Sequence, residues 1–400
     1  MMLDRKIRSF LNSFYRIPYL VPYWDEEELE AFLSPPRDAV EALESELTRR
    51  LSASRVMAVS SGQCAIFLAL KSMGIGPGDE VVIPSLVCRS ALAPILRLSA
   101  TPVFCDIAGD LNATAETIEP ALTEKTRAIL VPHTGGKPAR MAEIVEMAAR
   151  FRIFVIDDAA QAFGGDHGGR FLGNWGDAGI LSFSAGKLLM STAGGVLILS
   201  NPNLPAPPPL PAEPFAVILG RALRAMLRFR LRKHTFPFFL AFDRMRRPVQ
   251  QLERPLCRMS VQDAAMAMVQ LRKHHEIQAR RRGNAETLIR LLSDVEGLTL
   301  PDPPGHTFTK FIVHVGSPGP CREKSPQVLA LHRFLESRGI EPEFTHWPLH
   351  LRPDLAQFLR SPLPVTDRLW KGLISLPVQP WLGPGDMEVT ADAVRGYFAT

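Results

Sequence analysis

Seven short, continuously apolar runs set the terms on which this chain can fold. They lie at Val56–Val59, Val81–Ile83, Val103–Cys105, Ala128–Val131, Ile153–Ile156, Ile180–Phe183 and Val196–Leu199. A strand with one wet face alternates apolar and polar residues, whereas a strand covered on both faces does not. Helically periodic stretches separate most of the runs. The pattern therefore predicts a mostly parallel, seven-stranded sheet with helices on both faces, an α/β domain. Gly-Ile-Gly-Pro-Gly-Asp at 74–79 reads as a helix stop and turn before the strand at Val81, and Thr114 to Lys125 reads as a surface helix leading into the run at Ala128.

Four hundred residues exceed one ordinary domain, and 46% hydrophobic content is enough to bury a large core. The segment Asn201–Glu213 holds six prolines, so it is a linker or an extended surface excursion rather than a helix or central strand. From Ser260 to about Ser293 the pattern is that of one long helix, with Ala264, Ala265, Met268 and Leu271 on its apolar face. A strand-like Phe311–Val315 and helices at Gln327–Arg338 and near Asp386–Tyr397 then suit a smaller α/β domain. The expected division is an N-terminal arm over 1–40, a large domain over 41–250 with an insertion at 201–250, and a small C-terminal domain over 251–400.

Formal net charge is +5, but the excess is local. Residues 215–247 carry nine Lys or Arg against Asp243 alone, and the rest of the chain holds 37 basic and 40 acidic residues. That balance argues against a nucleic-acid-binding protein. The five cysteines, Cys64, Cys88, Cys105, Cys257 and Cys321, are scattered and form no Cys-x-x-Cys pair. They exclude a disulfide framework and a structural zinc site, and they fit a reducing cytoplasm. Basic residues near the start are followed by Asn12, Ser13 and Arg16, which interrupt any apolar run before signal-peptide length, and no segment is long and apolar enough to span a bilayer.

The chemistry concentrates after the fifth run. Asp158 and Gln161 stand in Val-Ile-Asp-Asp-Ala-Ala-Gln-Ala (155–162), and Ser182 and Lys187 in Ser-Phe-Ser-Ala-Gly-Lys (182–187). A carboxylate at a strand end, followed by a hydroxyl and a lysine on the next strand-to-loop passage, suits pyridoxal phosphate. The carboxylate pairs with the protonated pyridine nitrogen, and the lysine carries the cofactor covalently. Asp157 and Asp158 point in opposite directions by strand alternation, so one of them faces the ring; the spacing to Gln161 selects Asp158. The other reading of the Asp-Asp pair is a turn that caps the next helix. Ser60-Ser61-Gly62-Gln63-Cys64-Ala65 ends a strand and opens a helix, whose free N–H groups and dipole can seat a phosphate.

These stretches, taken in order, resemble the DegT/DnrJ/EryC1/StrS family of pyridoxal-phosphate-dependent sugar aminotransferases. The matching segments are 60–65, Gly-Ile-Gly-Pro-Gly-Asp-Glu-Val-Val-Ile-Pro-Ser (74–85), Ala-Thr-Pro-Val-Phe-Cys-Asp (100–106), 155–162, Gly-Asp-Ala-Gly-Ile-Leu-Ser-Phe-Ser-Ala-Gly-Lys (176–187), Arg-Met-Ser…Ala-Ala (258–265) and Ser-Leu-Pro-Val (375–378). The resemblance implies the aspartate-aminotransferase-like fold, fold type I, and a homodimer with active sites at the subunit interface. It implies transfer of nitrogen, usually from glutamate, to a keto group on a nucleotide-linked sugar. It assigns Lys187 to covalent cofactor attachment, Asp158 to the pyridine nitrogen, Gln161 to the phenolic oxygen or ring edge, Ser182 to the phosphate, and Gly62, Gln63 and Cys64 to the phosphate-binding turn.

Departures from the pattern are as informative. Gly62-Gln63-Cys64 replaces Gly-Thr-Ala, which leaves the phosphate to backbone N–H groups or to the Gln63 amide. Cys88 replaces an aromatic that stacks on the ring, and Leu256-Cys257 replaces Asn-Tyr ahead of Arg258. Arg258 either reaches the neighbouring subunit's cofactor phosphate or forms a surface ion pair. His350, in His-Trp-Pro-Leu-His (346–350), and His133, after the fourth run, either meet substrate or make structural hydrogen bonds. Two other functions compete: a sugar dehydratase, disfavoured because the family's dehydratases carry histidine where this chain has Lys187, and a non-catalytic or regulatory relative, motivated by Gln63, Cys88 and Leu256. The window 215–247, with Arg interleaved among Phe and Leu, is either a helix packed on the large domain or a peripheral contact with the inner membrane or a lipid-linked sugar.

Overall fold

A computed structural model describes residues 15–224, 255–316 and 324–399. Cys321 and residues 225–247 of the basic, apolar window lie outside the described residues. All seven apolar runs form strands of one sheet: β1 (Arg55–Val59), β2 (Glu80–Pro84), β3 (Thr101–Cys105), β4 (Thr126–Pro132), β5 (Phe154–Asp158), β8 (Ala178–Ser182) and β9 (Gly195–Leu199). The short hairpin β6 (Asp166–His167) and β7 (Arg170–Phe171) stands apart. The order in the large sheet is β1-β9-β8-β5-β4-β2-β3. Pairs from β8 to β3 are parallel, and β9 is antiparallel to both β8 and β1.

Both faces of that sheet are buried, as continuous apolar strands require. Ala58, Val82, Val103, Ile129, Val131, Val155, Leu181 and Val196 fill one core, with α2 (Ala39–Leu51) over it. Val59, Val81, Ile83, Leu130, Ile156, Ile180 and Leu197 fill the other, against α3 (Gly62–Ser72) and α4 (Arg89–Arg97). Two helices differ from the sequence reading. The expected helix over 114–125 is one turn, α5 (Ala115–Ile118), continued by a 3₁₀ turn at Glu119–Ala121, because Pro120 cannot extend an α-helix. The expected single helix from Ser260 is two, α7 (Val261–Arg272) and α8 (His274–Leu292), which meet at Lys273. There the Lys273 ammonium is drawn onto Asp25 (2.7 Å) and Glu28 (2.9 Å) beside α1 (Glu26–Leu33).

Residues 259–277 pack into the first core of the large sheet. The second sheet is antiparallel, ordered β10 (Leu298–Thr299), β11 (Phe311–Val315), β13 (Leu373–Leu376), β12 (Glu343–Phe344). The remaining helices are α6 (Met141–Phe151), α9 (Pro326–Ser337), α10 (Pro364–Leu369) and α11 (Pro384–Phe398). The segment 15–24 stitches the two sheets together. Ile17 pairs with Ile340, Tyr19 Oη meets Ser375 Oγ at 2.8 Å, and Trp24 Nε1 donates to the Met190 carbonyl at 2.7 Å. Residues 215–224 are helical; Arg221 is held by Glu213 and Asp263, while Phe215, Val217, Leu219 and Leu223 are exposed. No described helix is long and apolar enough to cross a membrane.

Candidate active site

Strand direction decides where the chemistry gathers. Since β9 opposes both β1 and β8, those two run the same way, and α3 starts at the edge where β4, β5 and β8 end. Ligands of parallel sheets bind at that edge. Alternation puts Asp158 on the face of Ile156, and Ser182 on the face of Ile180, which is the face covered by α3. Asp157 points the other way and is consumed there: it accepts from His133 Nε2 (2.6 Å), the Gly173 N–H (2.7 Å) and the Trp175 N–H (3.0 Å). Asp158 takes only the Ala160 N–H (3.1 Å) from the described residues, on Oδ1. Burial pushes its carboxyl up from the ordinary value, against the opposing pull of Lys187.

Lys187 sits in a turn made possible by Gly186, whose φ of +87° is in the left-handed region. The residue as a whole is half-buried, yet its ammonium is desolvated and its pKa is driven down. The fields of Cys88 and Asp158 resist that shift, and the like charge of Lys310 adds to it. Ser182 pairs across β9 with Gly195, and Gly195 in turn pairs with Val59. This row brings Ser182 to the start of α3: a Cβ built on Gly62 would lie 3.6 Å from Ser182 Oγ. Ser61 caps α3 by accepting the Cys64 N–H at 3.2 Å. The N–H groups of Gly62 and Gln63 belong to the first turn, which has no intrahelical acceptors. They are suited to a phosphate.

The remaining expected residues divide. Gln161 stays in the cleft, accepting the Gly135 N–H on Oε1 at 3.3 Å. Cys88 is the N-cap residue of α4, with its sulfur 2.8 Å from Ser90 Oγ. Gln63 turns its amide away from Ser182: it lines a separate hollow with Phe67, Pro94, Arg97 and Leu256, where its Oε1 is buried and meets no donor among the described residues. Cys64 points at the Cys257 carbonyl, and burial pushes its thiol up to about 11. Arg258 holds exposed Glu41 at 2.7 Å, a surface ion pair in this chain.

Neither expected substrate histidine faces the cleft with a free nitrogen. His133 is fully buried; its Nδ1 accepts the Ala139 N–H at 3.0 Å, and its Nε2 donates to Asp157. His350 is held between Ser85 Oγ (2.7 Å, at Nδ1) and Asp367 (3.0 Å, at Nε2). Each is held by hydrogen bonds within the chain, of the kind the second of its two readings allowed. Lys310, Thr345 and His346, not singled out in the sequence, line the cleft beside Gln161. His346 is driven well below the ordinary histidine range by burial and by the charges of Lys310 and Lys187.

The sequence profile of the DegT/DnrJ/EryC1/StrS aminotransferase family matches residues 31–207 and 245–395. The chain belongs to this family. Among its relatives is the dTDP-4-dehydro-2,3,6-trideoxy-D-glucose 4-aminotransferase of Saccharopolyspora spinosa, 30% identical over 348 residues that cover 84% of this chain and 83% of that protein. The spore coat polysaccharide biosynthesis protein SpsC of Bacillus subtilis is 27% identical over 395 residues, 95% and 96% of the two chains. The crystal structure of the aminotransferase TlmJ from Streptoalloteichus hindustanus superposes with a TM-score of 0.75 at 28% identity, covering 96% of this chain and 99% of that one. The protein is thus an aminotransferase with the fold of its DegT/DnrJ/EryC1/StrS relatives, a mostly parallel α/β sheet with a smaller second sheet.

Proposed function

We propose that this aminotransferase uses pyridoxal 5′-phosphate to move an amino group from glutamate to the keto group of a sugar, carried on a nucleotide, in polysaccharide or glycoconjugate biosynthesis. The observation that carries the reading is the facing pair Lys187 and Asp158, desolvated at the sheet edge beside the start of α3. The names of the two curated relatives, a dTDP-sugar aminotransferase and a polysaccharide biosynthesis protein, support the acceptor class.

The chain's own groups fit the cofactor. Gly62 and Gln63 N–H groups with Ser182 Oγ would hold the phosphate, and Asp158, with one oxygen uncommitted among the described residues, would keep the pyridine nitrogen protonated. Gln161 would flank the ring edge, and Cys88 would meet its face with less area than an aromatic. When bound, the cofactor supplies an electron sink for the α-carbon of the amino acid. The amine of Lys187 takes the proton from the donor's α-carbon and, in the return half-reaction, delivers a proton to the former carbonyl carbon of the sugar. Its lowered pKa makes the neutral amine accessible near working pH. Arg258 at an exposed edge fits a homodimer in which it reaches the neighbouring subunit, and the four free described cysteines fit a cytoplasmic enzyme.

Lys187→Ala tests the assignment. Turnover should fall by roughly a thousandfold or more, and borohydride should no longer fix cofactor mass to the chain. Retained turnover in that variant would refute the role of Lys187.

A further inference from the structure

Ser85, His350 and Asp367 form a line that the proposed chemistry leaves unused. Ser85 Oγ lies 2.7 Å from His350 Nδ1, and His350 Nε2 lies 3.0 Å from the Asp367 carboxylate. The order is that of a hydrolase triad, but Ser85 is 0% exposed, so its hydroxyl is closed to any substrate. A carboxylate only accepts, so Nε2 carries the ring proton and Nδ1 accepts from Ser85 Oγ–H. Ser85 Oγ in turn accepts the His350 N–H at 3.1 Å, and the Ser85 carbonyl accepts the Leu349 N–H at 2.9 Å. These bonds fasten the 3₁₀ turn Leu349–Leu351 to the residue that follows β2.

Both ends of the line are grounded on the large sheet. The Ser85 N–H donates to the Cys105 carbonyl at the end of β3 (3.2 Å). Asp106, the next residue, accepts the Val365 and Thr366 N–H groups (2.9 and 2.8 Å) at the start of α10, which carries Asp367. The contacts thus close into a ring between two segments that line the cleft. Leu86, directly after Ser85, lies in one of them, and Thr345 and His346, just ahead of His350, lie in the other. Two residues beyond Leu86 is Cys88, whose field reaches Lys187.

We propose that His350 is a positioning residue for transamination, coupling Ser85 to Asp367 and so fixing the span of the cleft between residues 86–88 and residues 345–346. It acts through the Ser85 hydroxyl rather than on the reacting atoms. The inference rests on the transamination reading above.

Cys88 reports on the clamp. In cofactor-free His350→Leu, alkylation of Cys88 by iodoacetamide, followed by peptide mass mapping, should run about fivefold faster or more, the weight of one buried hydrogen bond. In the cofactor-loaded variant, the rate at which glutamate bleaches the visible band should fall about tenfold or more, because the cleft no longer holds its span. In His350→Asn the amide oxygen takes the place of Nδ1 and accepts from Ser85, so most of both rates should return. Ser85→Ala leaves the pair of His350 and Asp367 intact; it should reproduce His350→Leu and keeps the test valid if that variant folds poorly. An unchanged half-reaction in either folded variant would overturn the inference, whatever the alkylation rate. Equal impairment of His350→Asn and His350→Leu would overturn it too, by making ring volume rather than the hydrogen bond the cause. Wild-type protein that never attaches cofactor at Lys187, or that glutamate does not bleach, would instead overturn the underlying function and leave the Cys88 comparison to judge the clamp.

Discussion

Asp157 and Asp158 are adjacent and chemically identical, yet the fold gives them opposite work. Asp157 closes a buried network on His133, Gly173 and Trp175. Asp157→Ala should therefore cost about 3 kcal/mol or more in denaturant unfolding, since it strands three donors, two of them fully buried. Asp158→Asn should do the reverse: turnover falls by roughly a hundredfold or more, while the cofactor-free protein is as stable as wild type or more so, because its burial already disfavours the charge. Equal stability losses in the two variants would contradict this division. Alternation along a strand made the opposite directions legible in the sequence, but not the partners. The contacts that hold His133 and His350 come from 24 and 265 positions away, and no local pattern records them. Lys310 was silent for the same reason: its charge is felt at Lys187 only through the fold, across 123 positions of sequence.

At the level of elements, one row of three residues, Ser182, Gly195 and Val59, joins the hydroxyl to the start of α3. Gly195 is the tightest link in that row. A Cβ there would stand 2.3 Å from Ser61 C and 2.4 Å from Gly62 N, backbone atoms that cannot swing aside. Gly195→Ala should displace the first turn of α3, weaken cofactor affinity by about tenfold or more, and destabilise the fold by about 1–3 kcal/mol. A cofactor titration followed by thermal unfolding checks both, and wild-type affinity would show that α3 is not the phosphate seat. The seven strands were readable because continuous apolar character is a local signal of two-sided burial. The break between α7 and α8 was not, because the apolar face of Val261–Leu271 gives no warning that Lys273 will be drawn onto Asp25 and Glu28.

Across the whole molecule, buried neutral histidines mark the seam between the two sheets. His274, on α8, packs edge-on against Phe163 and against Gly164, and burial pushes it down to about 4. His306 stacks on Phe308, accepts that residue's N–H on Nδ1 at 2.9 Å, and is pushed down to about 3. The adjacent Thr307 N–H donates to Gly136 in the turn that follows β4, so protonating His306 loosens a contact that also orders the Gln161 turn. Both groups have folded-state pKa values below that of the unfolded chain, so the unfolded state binds more protons as pH falls. Stability is then fully present above about 6.5 and is lost through the window down to 3–4. Linkage gives about 2 kcal/mol per histidine between pH 7 and pH 5, with His314 and His346 acting in the same direction. Urea midpoints measured across that range should fall steeply for the wild-type chain and less steeply for His306→Phe. The same slope in both would mean that His306 is already protonated in the native state, and that the hydrogen bond from Phe308 does not hold it neutral.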